Sequence, residues 1–380
     1  MFSPRFFIIL FTTILSFASL YIPQPILPEL GRVFDTSPSE AALLVSITMF
    51  PMAFAPIFFG YFLQSISAKR LLVISLIGIT SCQFMFALAT SYEIALLSRG
   101  LLGLALPATF TALMTLTTEG IAQNRVRTAM GVYIATTIIG GFLGRVTGGT
   151  LTTLWHWQAP FLIIGTLLIA NLLLISRLQT QEHSKFAKPR FSMIIEILRT
   201  PHYIFSYLAI FCVFFVFSGI LNNLAFRLEE IDPQISAARI SATYAGYLIG
   251  ICIALGSSKL VRTFGGELTS LYVGLLALLI SVVMFSIKST DVIVANIFML
   301  SIGMFFAHSV LTALVNHHAT YEKPMVNGLY LSIYYAGGGL GALIPTLVYV
   351  ERGWINMLAL LGLFCLFAGI FVRKIFQTAE

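Results

Sequence analysis

Charge is what this sequence has least of. Of its 380 residues only 10% are Asp, Glu, Lys or Arg, against about 25% in a soluble domain. With 58% of residues hydrophobic and a mean hydropathy of +0.93, too little polar surface is left to cover a water-soluble particle. A soluble enzyme is thereby excluded. Cysteine is scarce too: Cys82, Cys212, Cys252 and Cys365 each sit in an apolar run without paired short spacing. They read as small core hydrophobes, not as a disulfide frame or a metal centre. The 29 Gly and 14 Pro fit neither a disordered nor a collagen-like chain. A glycine-rich phosphate loop, paired carboxylates and metal-spaced His/Cys sets are all missing. Neither an ATP-driven mechanism nor a cofactor is therefore expected, and no metal site. The net charge of +7 forms no basic stripe interleaved with aromatics, which argues against a nucleic-acid partner.

What is present is a succession of apolar runs. A bilayer-spanning helix needs roughly 20 apolar residues. Twelve runs of that kind lie near 5–28, 39–65, 70–90, 93–118, 127–154, 157–177, 202–225, 238–260, 267–287, 292–317, 324–350 and 354–373. The polar, basic stretch Arg177–Pro201 separates runs six and seven. The chain is accordingly expected to divide into an N-terminal half at 1–178, a cytoplasmic linker at 179–200 and a C-terminal half at 201–380. The first run carries Arg5 and small residues as a cleaved signal peptide does, but it continues to Pro28 without a clear A-x-A site. It is expected to remain as a span. With the N-terminus inside, 15 of the 22 Lys and Arg fall on the inner side, 5 on the outer, and Arg99 and Arg145 within spans. The positive-inside rule then puts both termini in the cytoplasm.

The two halves are related. Residues 131–157 lie without gaps on residues 328–354 at an offset of 197, with Gly131, Tyr133, Gly140, Gly141, Leu143, Gly144 and Trp157 meeting Gly328, Tyr330, Gly337, Gly338, Leu340, Gly341 and Trp354. Runs four and ten agree more loosely, through Gly103 and Gly303 and the Thr-Ala-Leu at 111 and 312. Six spans separate each pair, so equivalent helices cross the membrane in the same direction. This is a parallel repeat about an axis along the membrane normal, a symmetry on which transporters are built. The fold class read here is an all-α integral membrane protein of twelve transmembrane helices in two six-helix halves.

Specific motifs extend the reading. YIPQPILPEL (Tyr21–Leu30), LLSRGLLGLALPA (Leu96–Ala108) and GGFLGRVTGG (Gly140–Gly149) resemble, respectively, the end of the first span, the fourth-span motif and the fifth-span antiporter motif of the major facilitator superfamily, and within it of the twelve-span bacterial drug:proton antiporter-type efflux permeases. Arg145 stands where that fifth-span motif usually has proline. The loop after run two, GYFLQSISAK (Gly60–Lys69), matches weakly, with Gln64 in place of the family's acidic residue, and its counterpart SKLVRTFGGE (Ser258–Glu267) has Arg262 there. The resemblance implies a carrier, not an enzyme, that exports a small amphipathic compound or drug against protons by alternating access. It implies the bacterial inner membrane as location and a monomer in the lipid bilayer. Alternatives are a carrier of an anionic metabolite or carboxylate siderophore, and a transport-inactive sensor or assembly protein of the same fold.

The residues that could carry this function are few. No Asp or Glu lies in the middle of any run; Glu29 and Glu119 sit at run ends. Arg99 and Arg145 are the intramembrane charges. Each costs about 3 kcal/mol at mid-bilayer and should face protein or a water-filled cavity. Each either braces neighbouring spans through helix carbonyls or clamps an anion. Arg145 lies about 15 Å below the outer edge, by helical rise from Trp155. His308, about 15 Å from the inner end of its run, is either a satisfied hydrogen-bonded residue or a coupling site. Gln24, Asn222, Asn223, Asn296 and Asn316 are candidate cavity groups, and Tyr244, Tyr247, Tyr330, Tyr334 and Tyr335 would suit an aromatic-lined site. The expected substrate-binding or coupling set is Arg145, Arg99, His308, Gln24, Glu29, Tyr330 and Tyr334. Gly103, Gly140, Gly144, Gly148, Gly149, Gly337 and Gly341 are expected to allow close helix packing or a pliable seam between the halves.

Overall fold

The computed structural model describes residues 3–178, 191–318 and 323–377. The Lys185–Arg190 stretch of the linker lies outside them, as do the side chains of residues 55–65, Gln64 included. Among the described residues all regular structure is helical. The N-terminal half holds α1 (Pro4–Tyr21), α2 (Leu27–Val33), α3 (Pro38–Ser65), α4 (Ala68–Ala87), α5 (Tyr92–Thr118), α6 (Gln123–Leu154) and α7 (Ala159–Ser176). The C-terminal half follows as α8 (Phe191–Arg199), α9 (Pro201–Ile231), α10 (Ala237–Thr243), α11 (Ile249–Thr263), α12 (Glu267–Met284), α13 (Thr290–His318), α14 (Lys323–Arg352) and α15 (Trp354–Gln377).

Two spans are broken, each for a local reason. The first is α1 followed by α2, separated at Ile22–Ile26. Pro23, Pro25 and Pro28 remove three backbone donors in six residues, so the α-ladder cannot continue and a 3₁₀ turn at Gln24–Ile26 takes its place. The eighth span is interrupted by a second 3₁₀ segment, Tyr244–Leu248, between α10 and α11. No proline explains that break.

Two sequence expectations need correction. The linker is not wholly irregular: α8 is a nine-residue helix with Met193, Ile194, Ile197 and Leu198 on the C-terminal core. The seventh span does not stop at 225 but continues as α9 to Ile231, carrying Arg227, Glu229 and Glu230 at its end. Charges end an apolar run without ending the helix, because at the membrane edge water solvates them.

Many polar groups inside the spans are satisfied by backbone carbonyls. Thr12, Thr13, Ser16 and Ser19 of α1 are fully buried, and each hydroxyl donates to the carbonyl four residues back at 2.7–2.9 Å. In a medium without water this is the cheapest partner available. Asn222, Asn223 and Asn296, expected as cavity groups, are likewise buried and donate to Ala342 O, Gly219 O and Ser281 O. Asn222 and Asn296 thereby tie neighbouring helices together, whereas Asn223 bonds within α9.

The repeat reappears in the packing. A Cβ on Gly140 would lie 2.8 Å from Ile14 O, and one on Gly144 2.5 Å from Ala18 O; one on Gly337 would lie 2.4 Å from Phe211 O, and one on Gly341 2.4 Å from Phe215 O. All four carbonyl partners keep the 197-residue offset seen between the glycines. The α1–α6 and α9–α14 pairs therefore make the same backbone-to-backbone approach, which only a residue without Cβ permits. Across the halves, α3 packs on α14, and α6 on α10 and α11. One buried apolar cluster runs from Ile9 to Ile175, the other from Ile197 to Ile375 with Ile138 of α6 joining it.

Candidate functional site

Both helix breaks open onto one side chain. Arg145, on the middle of α6, is 1% exposed. Its Nε donates to Gln24 Oε1 at 2.7 Å, and Nη1 to Gly141 O at 2.9 Å on its own helix. The guanidinium lies 4.0 Å from the ring centre of Tyr21, 4.8 Å from that of Tyr247 and 5.2 Å from that of Tyr244. Tyr21 and Gln24 flank the break between α1 and α2; Tyr244 and Tyr247 belong to the 3₁₀ segment of the other half. Gly141 leaves room here: a Cβ on it would sit 3.3 Å from both Arg145 Nη1 and the Tyr21 ring, a tight approach to two side chains. Three aromatic faces, each worth about 0.5–2 kcal/mol to a cation, together with the two hydrogen bonds offset the cost of burying the charge. Among the described ion pairs none includes Arg145.

From the cage an aromatic wall leads to His308. Tyr247 meets Phe217 at 6.0 Å, Phe217 meets Phe214 at 6.3 Å, and Phe214 stacks on Tyr334 at 3.8 Å between ring centres. Tyr334 lies 5.1 Å from the ring of Tyr335 and 5.1 Å from that of His308. His308 Nδ1 is 3.1 Å from Tyr330 Oη, which also accepts from Thr312 Oγ1 at 3.2 Å. Below them Asn316 and Asn327 exchange amide hydrogen bonds of 3.0 and 2.8 Å. His308, Thr312 and Asn316 recur every four residues, so they form one polar stripe on α13 running from mid-span to the inner end.

The structure thus brings together Arg145 with Gln24, and His308 with Tyr330 and Tyr334. The other expected residues lie elsewhere. Arg99 is also 1% exposed, but its Nε, Nη1 and Nη2 donate to Leu44 O, Ser19 O and Leu20 O at 2.8, 3.0 and 2.7 Å. It is a brace across α1, α3 and α5, the carbonyl-tied of the two arginine readings. Glu29 sits on α2 at the outer edge, 40% exposed, and accepts from Arg32 at 2.8 Å. Gly103 packs on Thr48 O of α3 inside the first half. Of the glycines expected to allow close helix packing or a seam, Gly140 and Gly144 face α1 and Gly148 faces Ile22 and Pro25 of their own half, whereas Gly149 faces Ala237 and Ser241 of the other.

Sequence reasoning missed Tyr21, Phe214 and the outer closure. Arg32 of α2 pairs with Glu229 of α9 at 3.0 Å, and Ala238 N donates to Thr153 Oγ1 at 2.9 Å, so the halves meet at the end of the bundle that holds α2, the side expected to face outward. At the opposite end, beside the start of α1, a cavity of about 280 Å³ opens between α1, α5 and α6, lined by Arg5, Phe6, Ile9, Leu116, Glu119 and Arg125 among others. Tyr21 could have been found from its place beside the proline-rich break; nothing in the sequence marks Phe214 or the Arg32–Glu229 pair.

Comparison with known proteins places this architecture. The profile of the Major Facilitator Superfamily matches residues 9–342. An uncharacterized transporter of Buchnera aphidicola subsp. Schizaphis graminum is 24% identical over 365 residues, which are 95% of this chain and 88% of that protein. The inner membrane transport protein YnfM of Escherichia coli K12 is 26% identical over 359 residues, 93% and 86% respectively. Among solved structures, a bacterial homologue of the human lysosomal transporter Spinster, crystallised inward-facing and unoccupied, superposes with a TM-score of 0.79 at 14% identity, covering 100% of this chain and 99% of that one.

Proposed function

The chain belongs to the Major Facilitator Superfamily and is a multi-pass membrane transporter of that type; from that premise we propose that it is a proton-coupled secondary carrier exporting a small amphipathic compound. The observation that carries this reading is the aromatic wall of the C-terminal half, which runs to His308 from an Arg145 cage that both halves build. Such a surface suits a molecule with an apolar body and one polar group. The efflux direction rests on the fifth-span motif Gly140–Gly149 and its resemblance to antiporters. Arg145, Gln24, Tyr330, Tyr334 and His308 form the transport site; Arg99 braces it and Glu29 belongs to the outer closure. The protein acts as a monomer in a bacterial inner membrane with both termini cytoplasmic.

In this mechanism residues 1–178 and 201–380 rock as two bodies. With the outer side closed by Arg32–Glu229, substrate enters from the cytoplasm. The glycine-packed pairs α1–α6 and α9–α14 move as rigid units, and the 3₁₀ segments beside Arg145 absorb the change of angle. Coupling falls to His308, because arginine keeps its proton at every relevant pH and no carboxylate lies mid-span. An imidazole exposed in one state and desolvated in the other loads and releases a proton as the cavity alternates. The test is transport in liposomes with independently imposed pH and voltage gradients. Wild type is expected to follow the pH gradient and His308→Ala to lose that dependence. Transport that follows voltage alone, unchanged by the variant, overturns the proton coupling. Failure of any gradient or counterflow to drive movement overturns the carrier reading itself.

A further inference from the structure

Two buried arginines occupy this protein, and they differ in how their donors are used. A guanidinium has five N–H groups. Arg99 directs all three of its nitrogens at backbone carbonyls. Arg145 donates from Nε and Nη1 to a neutral amide and a carbonyl, and the hydroxyls of Tyr21 and Tyr247 lie within its hydrogen-bonding reach, so every partner it has is neutral. No carboxylate is paired with it among the described residues, and the rings around it are uncharged. Where the two halves meet, Arg145 therefore holds a positive charge that no described carboxylate neutralises.

We infer that the transported compound is a small aromatic anion, a carboxylate in the first instance, and that Arg145 excludes lipophilic cations from the site. The inference rests on the transport reading above for its physiological meaning, though not for binding. A carboxylate that takes the place of the Tyr21 and Tyr247 hydroxyls accepts from Nη1 and Nη2 in the bidentate geometry arginine provides. Its aromatic body then lies along the wall that begins at Tyr247 and continues through Phe217 and Phe214 to Tyr334. A monocation held about 6 Å from Arg145 at an effective dielectric of about 20 is disfavoured roughly hundredfold by repulsion, and an anion gains a comparable factor before its own desolvation. Because Tyr21 and Gln24 come from one half and Tyr244 and Tyr247 from the other, the anion neutralises a charge enclosed by both. Gln24 sharpens the argument. It holds Nε without adding charge, where a glutamate of nearly the same shape would have neutralised the site.

The experiment is an isosteric charge series on the purified full-length protein in nanodiscs: 2-naphthoate, 2-naphthamide and 2-naphthylmethylammonium, read by calorimetric titration and by counterflow in liposomes. Wild type is expected to bind the naphthoate at least tenfold more tightly than the amide, and the ammonium not at all. Gln24→Glu, which supplies an internal carboxylate and keeps the fold, is expected to lower naphthoate affinity at least tenfold and to admit the ammonium. Arg145→Lys keeps the charge but not the fork, so it should weaken naphthoate severalfold while still excluding the cation. Equal binding of anion and cation, binding of none of the three up to their solubility limits, or unchanged naphthoate affinity in Gln24→Glu each overturn the inference. Naphthoate binding without counterflow supports the anion site and counts against the carrier; counterflow of the ammonium but not the naphthoate does the reverse.

Discussion

The α1–α6 pair and the α9–α14 pair are the same structure carrying different chemistry. Gly140 and Gly144 meet carbonyls of α1 as Gly337 and Gly341 meet those of α9. At the next turn the pattern inverts: Gly148 faces Ile22 in the first half, while in the second the glycine is on α9, Gly219, facing Pro345. Between these matched contacts the side chains diverge. Tyr21, Gln24 and Arg145 correspond to Ser218, Leu221 and Ala342. Where the first half buries a cation, Ser218 and Asn222 donate to the carbonyls of Gly338 and Ala342. Backbone approach is kept in both copies because it builds the bundle; polarity is kept in one because one central charge suffices.

The strongest way to break the comparison is to fill the shared contact. Gly144→Val and Gly341→Val push side chains into backbone 2.4–2.5 Å away, and each is expected to cost about 3 kcal/mol or more. Thermal unfolding of the detergent-purified protein checks it. Tolerance of one and not the other would mean the two pairs are not mechanically equivalent.

Removing the asymmetric charge comes next. Arg145→Ala is expected to abolish transport, a loss of at least a hundredfold, with expression and melting temperature near wild type, and Arg145→Lys to restore part of it. Ala342→Arg in the Arg145→Ala background is expected not to rescue, since the second half lacks the Tyr21 and Gln24 counterparts. Full transport in the alanine variant would reduce Arg145 to a brace like Arg99.

A smaller effect is expected at Tyr330. Tyr330→Phe removes the hydroxyl shared by His308 and Thr312 but leaves the ring. Turnover should fall about tenfold with the pH-gradient dependence shifted, whereas the matched Tyr133→Phe, whose hydroxyl only approaches Phe110 O at 3.5 Å, should change little. Comparable losses at both positions would remove the distinction.

The smallest effect concerns the outer closure. Exposed ion pairs contribute about 0–1 kcal/mol, so Glu229→Gln is expected to raise the outward-open population no more than about fivefold. Spin-label distances between positions 34 and 233, near the ends of α2 and α9, would show it. No change in those distances would mean that the packing of Gly149 on Ala237 holds the outer side shut alone.

Much of this was legible in the sequence, for identifiable reasons. Apolar length fixes a span because the bilayer has one thickness: all twelve runs fall on helices, and among the described residues eleven are long and apolar enough to cross a membrane. The repeat was visible because a glycine in contact with backbone tolerates no replacement, so Gly140/Gly337 and Gly144/Gly341 survived where the residues between them drifted. Arg145 stood out as a charge in an apolar run, whereas the break beside it at Pro23, Pro25 and Pro28 went unread because the apolar run continues through it. Other features left no trace. The role of Tyr21 depends on where a broken helix turns it, and one tyrosine in a span looks like another. α8 was read as linker because nine residues are too few for a hydropathy signal. The division of the two arginines into brace and cage depends on which carbonyls are near, which no residue pattern encodes.

The outer latch has a property that follows from its branching. Arg32 holds Glu229 across the halves and, at the same time, Glu29 one turn back on its own helix. When the outer side parts, the cation does not lose its counterion but merely drops from two to one, and Glu229 is released at a rim already open to water. The closure is thus a clasp that hands its charge back to itself, so the free-energy difference between shut and open stays small and reversible. For a machine that must open and close once per cycle, a weak clasp sets a low ceiling on the time spent waiting at that door.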